Sequence, residues 1–315
     1  MADNGNWERD VLEKLVLATV KEQRKTRNWS IFFKILGFSY LFAVLYLIFG
    51  HGSGHGDKMT AGGKHTAVVE LNGVIAPNKP ASAESINESL RDAFKSRNTK
   101  GVILRINSPG GSPVQAGQIY DEIRRLRAKY PAIPLYAVVE DVCASGGYYA
   151  AAAADRIYVD KASLIGSIGV LMDGFGFTGT MEKLGVERRL LTAGANKGFM
   201  DPFSPMNPVQ REHAQKMLAD IHQQFIKVVR EGRGTRLHET PELFTGLIWS
   251  GDQGIKLGLA DGYGSVASIA RDVIKAEELV DFTKHEDFTE RLAKGLGAGA
   301  MSNVQQVLGL EPGLR

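Results

Sequence analysis

From residue 66 onward, short runs of apolar residues alternate with segments in which apolar residues recur at helical spacing. Thr66–Ile75 and Lys100–Asn107 are apolar runs that predict strands, and the second has the composition of a strand buried on both faces. Between them, Ser82–Arg97 carries large apolar side chains at helical spacing, which predicts an amphipathic helix. These three segments predict one βαβ crossover.

The same alternation continues to residue 276 and predicts an α/β fold. Strands that alternate with helices favour a largely parallel sheet with helices on both faces. The further predicted elements are a helix near Val114–Tyr130, a strand at Leu135–Val142, an Ala-rich buried helix at Ser145–Ala154, a strand at Asp155–Asp160, a helical turn at Met181–Gly185, a strand at Val186–Gly194, a helix from Pro208 to about Glu231, and two short helices around a Gly-rich turn within Leu243–Ala276.

One long apolar segment precedes this α/β region. Ile31–Phe49 is almost wholly apolar and close to the ~20 residues that a helix needs to cross a bilayer. Basic residues cluster between positions 21 and 27, whereas the segment after Phe49 is nearly uncharged, so the positive-inside rule predicts a cytoplasmic N-terminus. The segment is too long and begins too far into the chain for a cleaved signal peptide, so we predict an uncleaved anchor.

Two features flank the predicted anchor. Apolar residues between Trp7 and Thr19 recur at helical spacing, which predicts a short amphipathic helix that either lies on the inner leaflet or pairs with a copy of itself. After the anchor, His51 and His55 lie in a Gly-rich stretch. A flexible tether is favoured over a metal site there, because nothing fixes the geometry of the two imidazoles.

These patterns divide the chain into five segments. The segments are 1–29, amphipathic and cytoplasmic; 30–50, the transmembrane anchor; 51–65, a linker; 66–276, the α/β domain; and 277–315, a polar and then Gly-rich tail. We assign no structure to most of the tail, which either docks on a neighbouring protomer or is disordered.

Composition excludes several classes of site. The formal net charge is +3 over 315 residues, and outside the group before the predicted anchor the basic residues are scattered, which argues against a nucleic-acid partner. The single cysteine, Cys143, excludes an intramolecular disulfide framework and a cysteine-based structural zinc site. We predict that Cys143 is a small core residue and that the protein needs no metal or other cofactor.

Three Gly-rich stretches follow predicted buried strands, which is where ligands bind in open α/β sheets. The first, INSPGGS at Ile106–Ser112, contains Gly110 and Gly111, whose backbone freedom leaves N–H groups accessible to a developing oxyanion. A nucleotide-phosphate loop would need a different glycine spacing, and a plain turn remains an alternative.

The second stretch, DVCASGGYYAAAAAD, places Ser145 between a strand and an Ala-rich helix. Its hydroxyl would project from the strand end, and the Gly146 N–H would face an oxyanion formed there. The α/β-hydrolase pattern G-x-S-x-G is absent, because Cys143 stands two positions before the serine. Ser145 is either a nucleophile or the small residue that ends the strand.

A nucleophilic serine needs a base, and no histidine lies between His65 and His213. We interpret His213 and His222 as surface or core residues of the helix that begins at Pro208, so a lysine is the alternative base. Lys197 lies in an irregular loop among small and apolar residues, where it is either the general base or an exposed loop lysine.

The third stretch, SLIGSIGV at Ser163–Val170, contains Ser167. Its hydroxyl either orients a neutral lysine through a hydrogen bond or belongs to a small residue in a tight turn. Lys161 and Lys183 occupy turn and charged helical positions typical of solvated side chains, which leaves Lys197 as the candidate lysine.

Taken in order, five motifs resemble those of the S49 peptidases, most closely the short, single-anchor signal peptide peptidase form of the protease IV type. The resemblance covers Val68–Val273 and implies a Clp protease/crotonase-like core with a parallel sheet and flanking helices. The five motifs are INSPGG, ASGGYYAAAAAD, SLIGSIGV, NKGFMDPFSP and GLIWSGDQGIKLGLADGYG.

The resemblance also implies the roles of the candidate residues. Ser145 would be the nucleophile and Lys197 the general base of a Ser/Lys dyad. Ser167 would hold the lysine, and the N–H groups of Gly111 and Gly146 would form the oxyanion hole. The homologous second half of the double-length family members is missing here, so each chain must supply its own dyad.

The expected protein is a serine endopeptidase of the bacterial inner membrane whose catalytic domain faces the periplasm or cell exterior. Its substrates would be apolar peptides such as cleaved signal peptides, and its assembly a dome-like homo-oligomer, an octamer. Two rival interpretations are an acyl-CoA enzyme of the crotonase type and a membrane scaffold whose protease-like domain is inactive or binds a partner.

Overall fold

The computed structural model describes residues 4–50 and 63–284, which fall into two compact units. One unit contains the helix α1 (Asn4–Gly50), and the other contains all the strands and the remaining helices. The predicted tether with His51 and His55, and the tail beyond residue 284, lie outside the described residues.

α1 is one continuous helix of 47 residues, about 70 Å long. We had expected a short amphipathic helix followed by a separate anchor, whereas the backbone continues without a break through both. Within the described part of the chain, no helix meets the combined length and hydropathy that a membrane span requires. Side chains 44–50, which belong to the predicted anchor, are not described.

The second unit has the predicted α/β organisation, with an eight-stranded sheet among the described residues. The strands are β1 (His65–Asn72), β2 (Thr99–Ser108), β3 (Leu135–Ala144), β4 (Arg156–Val159), β5 (Leu164–Gly166), β6 (Ile248–Ser250), β7 (Gly262–Tyr263) and β8 (Leu279–Asp281). The helices are α2 (Ala83–Lys95), α3 (Pro113–Lys129), α4 (Gly146–Ala151), α5 (Thr178–Lys183), α6 (Pro208–Arg233), α7 (Gly251–Lys256) and α8 (Val266–Ser268), with a 3₁₀ turn at Gly234–Arg236 and a π-helical turn at Ile269–Ile274.

The sheet has the order β6-β5-β3-β2-β1-β8, and it divides along one edge of β3. β2 pairs with one edge of β3, while the other edge is shared by β4, at Tyr136–Val138, and β5, at Val142–Ala144. All pairs are parallel except β5 with β6. The predicted largely parallel sheet is therefore confirmed.

Helices cover both faces of the sheet, as predicted. On one face, the stripe of α2 formed by Ile86, Leu90 and Phe94 is at most 1% exposed and joins the main core with α3 and α4. Burial of each such side chain stabilises the fold by about 1.5–3 kcal/mol. The other face has a smaller cluster around Ile103 and Ile269.

Four short strands, β5, β6, β7 and β8, lie where the sequence pattern assigned none. β8 falls in the tail segment that we left without structure, and it pairs with β1 through Thr66 and Leu279. β6 falls within the Gly-rich region for which we predicted only helices. Both are three-residue edge strands, too short to show a periodic pattern of their own.

The predicted strand at Val186–Gly194 is wrong. These residues form exposed coil, and Leu191 is 95% exposed. The segment contains the apolar residues Val186, Leu190 and Leu191 among polar ones, but no neighbouring strand offers it backbone partners within the described unit. A strand-like pattern without a pairing edge does not form a strand.

Residues 170–207, which we call the arm, connect the sheet to α6. The arm contains α5 and holds itself together through a stack of Phe177 on Phe203 at 5.5 Å and a 3.0 Å ion pair between Arg188 and Asp201. It nevertheless exposes several large apolar side chains, among them Leu171, which is 80% exposed. An apolar surface of this extent on one segment is typical of an interaction site.

Candidate active site

The first Gly-rich turn, Ser108–Gly111, is anchored to the end of β1. The Ser108 hydroxyl donates to the Gly73 carbonyl at 2.6 Å, and the Gly110 N–H donates back to Ser108 Oγ at 3.1 Å. Ile75 continues the anchoring, since its N–H donates to the Gly110 carbonyl at 2.8 Å. The turn is thus a rigid extension of β2.

Gly110 lies directly against the predicted nucleophile. Its φ is +98°, and a β-carbon there would lie 2.6 Å from the nitrogen of Gly146 and 2.7 Å from Cβ of Ser145. Real β-carbons do not approach other heavy atoms so closely, so only glycine fits this contact.

Ser145 has a strained backbone at the junction of β3 and α4. Its φ is 51°, a region that non-glycine residues rarely occupy, and strain of this kind is found at functional sites. Two hydrogen bonds hold it there: its N–H donates to the Gly166 carbonyl at 2.9 Å, and its carbonyl accepts from Tyr149 at 2.9 Å. The residue is half-buried, so its hydroxyl lies at a protected surface.

The N–H groups of Gly111 and Gly146 lie close together. The nitrogen of Gly111 is 3.3 Å from the position that a β-carbon on Gly146 would take. Neither N–H has an acceptor among the residues that the structure describes. Gly146 is buried whereas Gly111 is exposed, so both donors are accessible from the side of Ser145 that faces solvent. Two adjacent donors without a protein acceptor beside a serine suit a developing negative charge.

Ser167 lies beside Ser145 because of the strand register. Ala144 pairs with Gly166 across β3 and β5, so the next residue of each strand is one of the two serines. Both serines have φ near 51°. The Ser167 N–H donates to the Leu247 carbonyl at 2.8 Å, which ties this turn to the residue before β6.

Lys197 does not join this group within the chain. It lies in the arm with an exposed side chain, and its backbone N–H donates to the Gly194 carbonyl at 3.1 Å. Among the described residues, no hydrogen bond connects its ammonium to Ser145 or Ser167. The structure brings together Ser145, Ser167 and the two glycines of the site, without a hydrogen bond from any of them to the Lys197 side chain.

The floor of the site is apolar. Cys143, at the end of β3, is fully buried, as predicted for a small core residue, and burial raises the pKa of its thiol. Tyr148, on α4, is equally buried, and burial likewise raises the pKa of its hydroxyl, which donates to the Leu259 carbonyl at 2.8 Å. Within residues 4–50 and 63–284, no group of acidic, histidine or cysteine side chains is arranged to hold a metal ion.

Two side chains that the sequence analysis did not place in the site contact its third turn, Gly166–Ile168, which we call the Ser167 turn. The indole of Trp249 packs on Gly166, where its Cδ1 would be 2.8 Å from an added β-carbon. Nε2 of His222 lies 3.1 Å from the carbonyl oxygen of Ile168. No sequence signal marks either contact, because both depend on how distant elements pack.

Comparisons with protein families and with individual proteins point to the same family. The profile of peptidase family S49 matches residues 127–281. A protein of Methanocaldococcus jannaschii named as a protease is 32% identical, over 71% of this chain and 75% of its own length. A protein of Enterococcus faecium named as a signal peptide peptidase, SppA, is 31% identical, over 72% of this chain and 68% of its own length.

Other relatives are much longer than the matched region. The Na⁺/H⁺ antiporter NhaA of Brucella melitensis is 43% identical over 65% of this chain, and the match spans only 28% of that protein. Among solved structures, a ClpP1 variant of Listeria monocytogenes is similar with a TM-score of 0.41 and 15% identity, over 63% of this chain and 91% of that one.

Proposed function

The chain belongs to peptidase family S49 and carries a serine peptidase domain, and on this premise we propose that it is a membrane-anchored endopeptidase with a Ser/Lys dyad. Its proposed substrates are apolar peptides, such as cleaved signal peptides, at the outer face of the cytoplasmic membrane. The observation that carries the proposal is that the N–H groups of Gly111 and Gly146, which have no acceptor among the described residues, lie close together at the turn that meets Ser145.

In the proposed mechanism, Lys197 in its neutral form accepts the proton of the Ser145 hydroxyl. The resulting alkoxide attacks the peptide carbonyl, and the N–H groups of Gly111 and Gly146 stabilise the tetrahedral oxyanion. The Lys197 ammonium, held by Ser167, then protonates the leaving amine. Water attacks the acyl-enzyme through the same base and regenerates Ser145.

Assembly is the proposed route by which Lys197 reaches the site. The lysine lies on the arm, and the arm exposes apolar side chains that a neighbouring copy would cover. We propose a homo-oligomer, an octamer, in which each chain contributes one Ser145 and one Lys197. Docking of the arm would also remove water from the lysine, which favours its neutral form.

Labelling with a serine-reactive fluorophosphonate probe tests the dyad on the full chain in detergent. Ser145→Ala should abolish labelling, and Lys197→Met should slow it by at least about 100-fold, because general-base catalysis contributes 10²–10⁴-fold. Lys183→Met, which removes another lysine of the arm, should label at the wild-type rate. Labelling that survives both dyad substitutions refutes the proposal.

The alternative is a membrane scaffold with an inactive protease-like domain. It is favoured by the exposed position of Lys197 in the isolated chain. If the assembled wild-type protein neither reacts with the probe nor hydrolyses apolar peptides, the scaffold function replaces the peptidase.

Membrane anchoring through residues 30–50, with a cytoplasmic N-terminus, is part of the proposal. Support comes from the apolar run Ile31–Phe49 and from the aromatic group at its start, where Trp29 lies 5.8 Å from Phe32 and 5.6 Å from Phe33. Such aromatic groups are enriched where helices cross the membrane interface. Resistance of the full chain to alkaline carbonate extraction tests the anchor, and release into the soluble fraction contradicts it.

A further inference from the structure

We infer that His222 is a positioning residue for the proposed peptidase, because it holds the Ser167 turn through a hydrogen bond from α6. The inference rests on the proposed function, in which Ser167 holds the catalytic lysine. His222 itself touches neither the nucleophile nor the proposed oxyanion donors, so it would act only through the turn.

The contact of His222 with Ile168 indicates which imidazole nitrogen carries a hydrogen. Nε2 of His222 lies 3.1 Å from the carbonyl oxygen of Ile168, and a carbonyl oxygen can only accept a hydrogen bond. Nε2 therefore carries a hydrogen and is the donor. Ile168 is fully buried, so its carbonyl is attached to a residue that cannot shift without disturbing the core.

The position of His222 is fixed by the packing of α6 on α4. Phe225, three residues further along α6, packs against Tyr149 with ring centroids 5.0 Å apart. Near the end of the helix, Gly232 lies so close to the carbonyl of Ala152 that no side chain fits there. These two contacts fix the rotation of α6 about its axis and its position along that axis, which places His222 beside the Ser167 turn.

The Ser167 turn is also held from its other side. The Ser167 N–H donates to the Leu247 carbonyl at 2.8 Å, and the Trp249 indole packs on Gly166. A serine with φ of 51° keeps that conformation only when its surroundings enforce it. Without the bond from His222, the restraint from α6 is lost and the hydroxyl of Ser167 moves away from its proposed partner.

Kinetics on an apolar fluorogenic peptide, with the full chain in detergent, test the inference. His222→Ala and His222→Phe should lower kcat about 10- to 100-fold, because misplacing a group near the reacting atoms by ~1 Å can cost 100-fold. KM should change less than about twofold, since the peptide does not touch His222. His222→Gln, which retains an N–H at the same reach, should keep at least about one third of the wild-type kcat.

His238→Ala provides the matched control. Nδ1 of His238 also contacts a backbone carbonyl, that of Lys256 at 2.8 Å, but at an exposed site away from the Ser167 turn. It should leave kcat unchanged. A wild-type kcat for folded His222→Phe, or a kcat for His222→Gln as low as for His222→Ala with equal melting temperatures, overturns the inference.

Fluorescence gives a readout that does not need activity. Trp249 is the only tryptophan after residue 29, so Trp7→Phe and Trp29→Phe leave it as the sole emitter in the full chain. In that background, His222→Ala should raise acrylamide quenching of Trp249 at least twofold, whereas His222→Gln and His238→Ala should not. Unchanged quenching refutes the role of His222 in holding the Ser167 turn. Labelling that Ser145→Ala abolishes and Lys197→Met slows would still leave the peptidase proposal intact.

Discussion

Gly110 shows how the candidate site depends on single residues. The turn after β2 meets the turn after β3 at this glycine, and no other residue type fits the distances between them. The sequence analysis identified the glycine pair from its place after a buried strand. It did not show which of the two glycines makes the contact, because that depends on the spacing of the two strand ends.

Gly110→Ala should therefore inactivate the protein without unfolding it. A methyl group at this position forces Gly146 and its N–H away from the Ser145 hydroxyl, and loss of one oxyanion donor costs about 100- to 1,000-fold in kcat. Steady-state kinetics of peptide hydrolysis measure the loss, and circular dichroism establishes that the variant is folded.

Gly117→Ala is the matched control for Gly110→Ala. Gly117 lies within α3, and an added β-carbon meets no atom within 4 Å. Alanine is the better helix former, so this substitution should stabilise the protein by about 0.5–1 kcal/mol and leave kcat unchanged. Equal losses of activity in both variants would contradict the proposed role of Gly110.

The position of Ser145 at the end of β3 could be predicted from the sequence because it depends on a local pattern of strand, serine and glycine. His222 could not, because its contact with the Ser167 turn depends on the register of α6 over α4, which no local pattern encodes. Lys197 is an intermediate case. Its loop marks it as a candidate, but in the proposed mechanism its approach to Ser145 depends on assembly of the arm with a neighbouring copy.

At the scale of elements, the long periodic segments were predictable and the short edge strands were not. α2, α3 and α6 begin and end within a few residues of the positions that their polar and apolar patterns predict. β8 and β6 form only because a neighbouring strand, β1 or β5, offers a free edge to them. Val186–Gly194 shows the converse, since it has a strand-like pattern and no such edge.

The end of α6 is attached to the sheet by a buried ion pair. Arg233 is 1% exposed, and its guanidinium contacts Asp261 Oδ2 at 2.8 Å. Arg236 contacts the other oxygen at 3.0 Å, and the Ile157 N–H donates to Oδ2 at 2.7 Å. Burial alone would raise the pKa of Asp261, but the hydrogen bond and charge of Arg233, together with the other two partners, lower it below its usual value.

Asp261→Asn should strongly destabilise the fold at neutral pH. It leaves Arg233 buried without a counter-charge, which costs about 3–5 kcal/mol in the free energy of unfolding. Because the pKa of Asp261 is lower in the folded than in the unfolded protein, its stabilising effect is fully present above the unfolded-state pKa of about 4 and is lost as pH falls through the folded-state value. The difference between wild type and variant should therefore shrink below about pH 4.

Urea unfolding between pH 3 and pH 7 measures this pH dependence. Asp252→Asn is the control, since Asp252 pairs with Lys256 at an exposed site on α7 and should change stability little at any pH. A difference between wild type and Asp261→Asn that is constant over the whole range would show that the charge of Asp261 does not matter.

At the scale of the whole molecule, the arm is the segment whose apolar side chains remain uncovered in a single chain. It holds the proposed base and carries apolar side chains that are mostly exposed, with Phe175 at 79% and Leu191 at 95%. Covering such a surface with a second copy would stabilise an assembly and complete the dyad in one step. Oligomerisation and activity should therefore be linked.

Leu191→Asp should weaken assembly and activity together. A charge placed in an apolar interface should raise the concentration at half-assembly at least about tenfold, as expected for a residue at the centre of a contact. Sedimentation velocity in detergent follows the mass, and fluorophosphonate labelling follows the activity. Val273→Asp, at a partly exposed apolar residue outside the arm, should change neither. Full activity of a monomeric Leu191→Asp protein would contradict the proposed dependence of activity on assembly.

The amide of Ser145 is already committed to the carbonyl of Gly166, so in the proposed reaction it takes no share in holding the negative oxygen. That oxygen must turn toward Gly111 and Gly146, which means that an incoming carbonyl can present only one of its two faces to the hydroxyl. The site should therefore distinguish the two enantiomers of a chiral inhibitor. Of two mirror-image phosphonate inhibitors, only one has its oxygen and leaving group arranged to suit the pocket, and that enantiomer alone should react quickly.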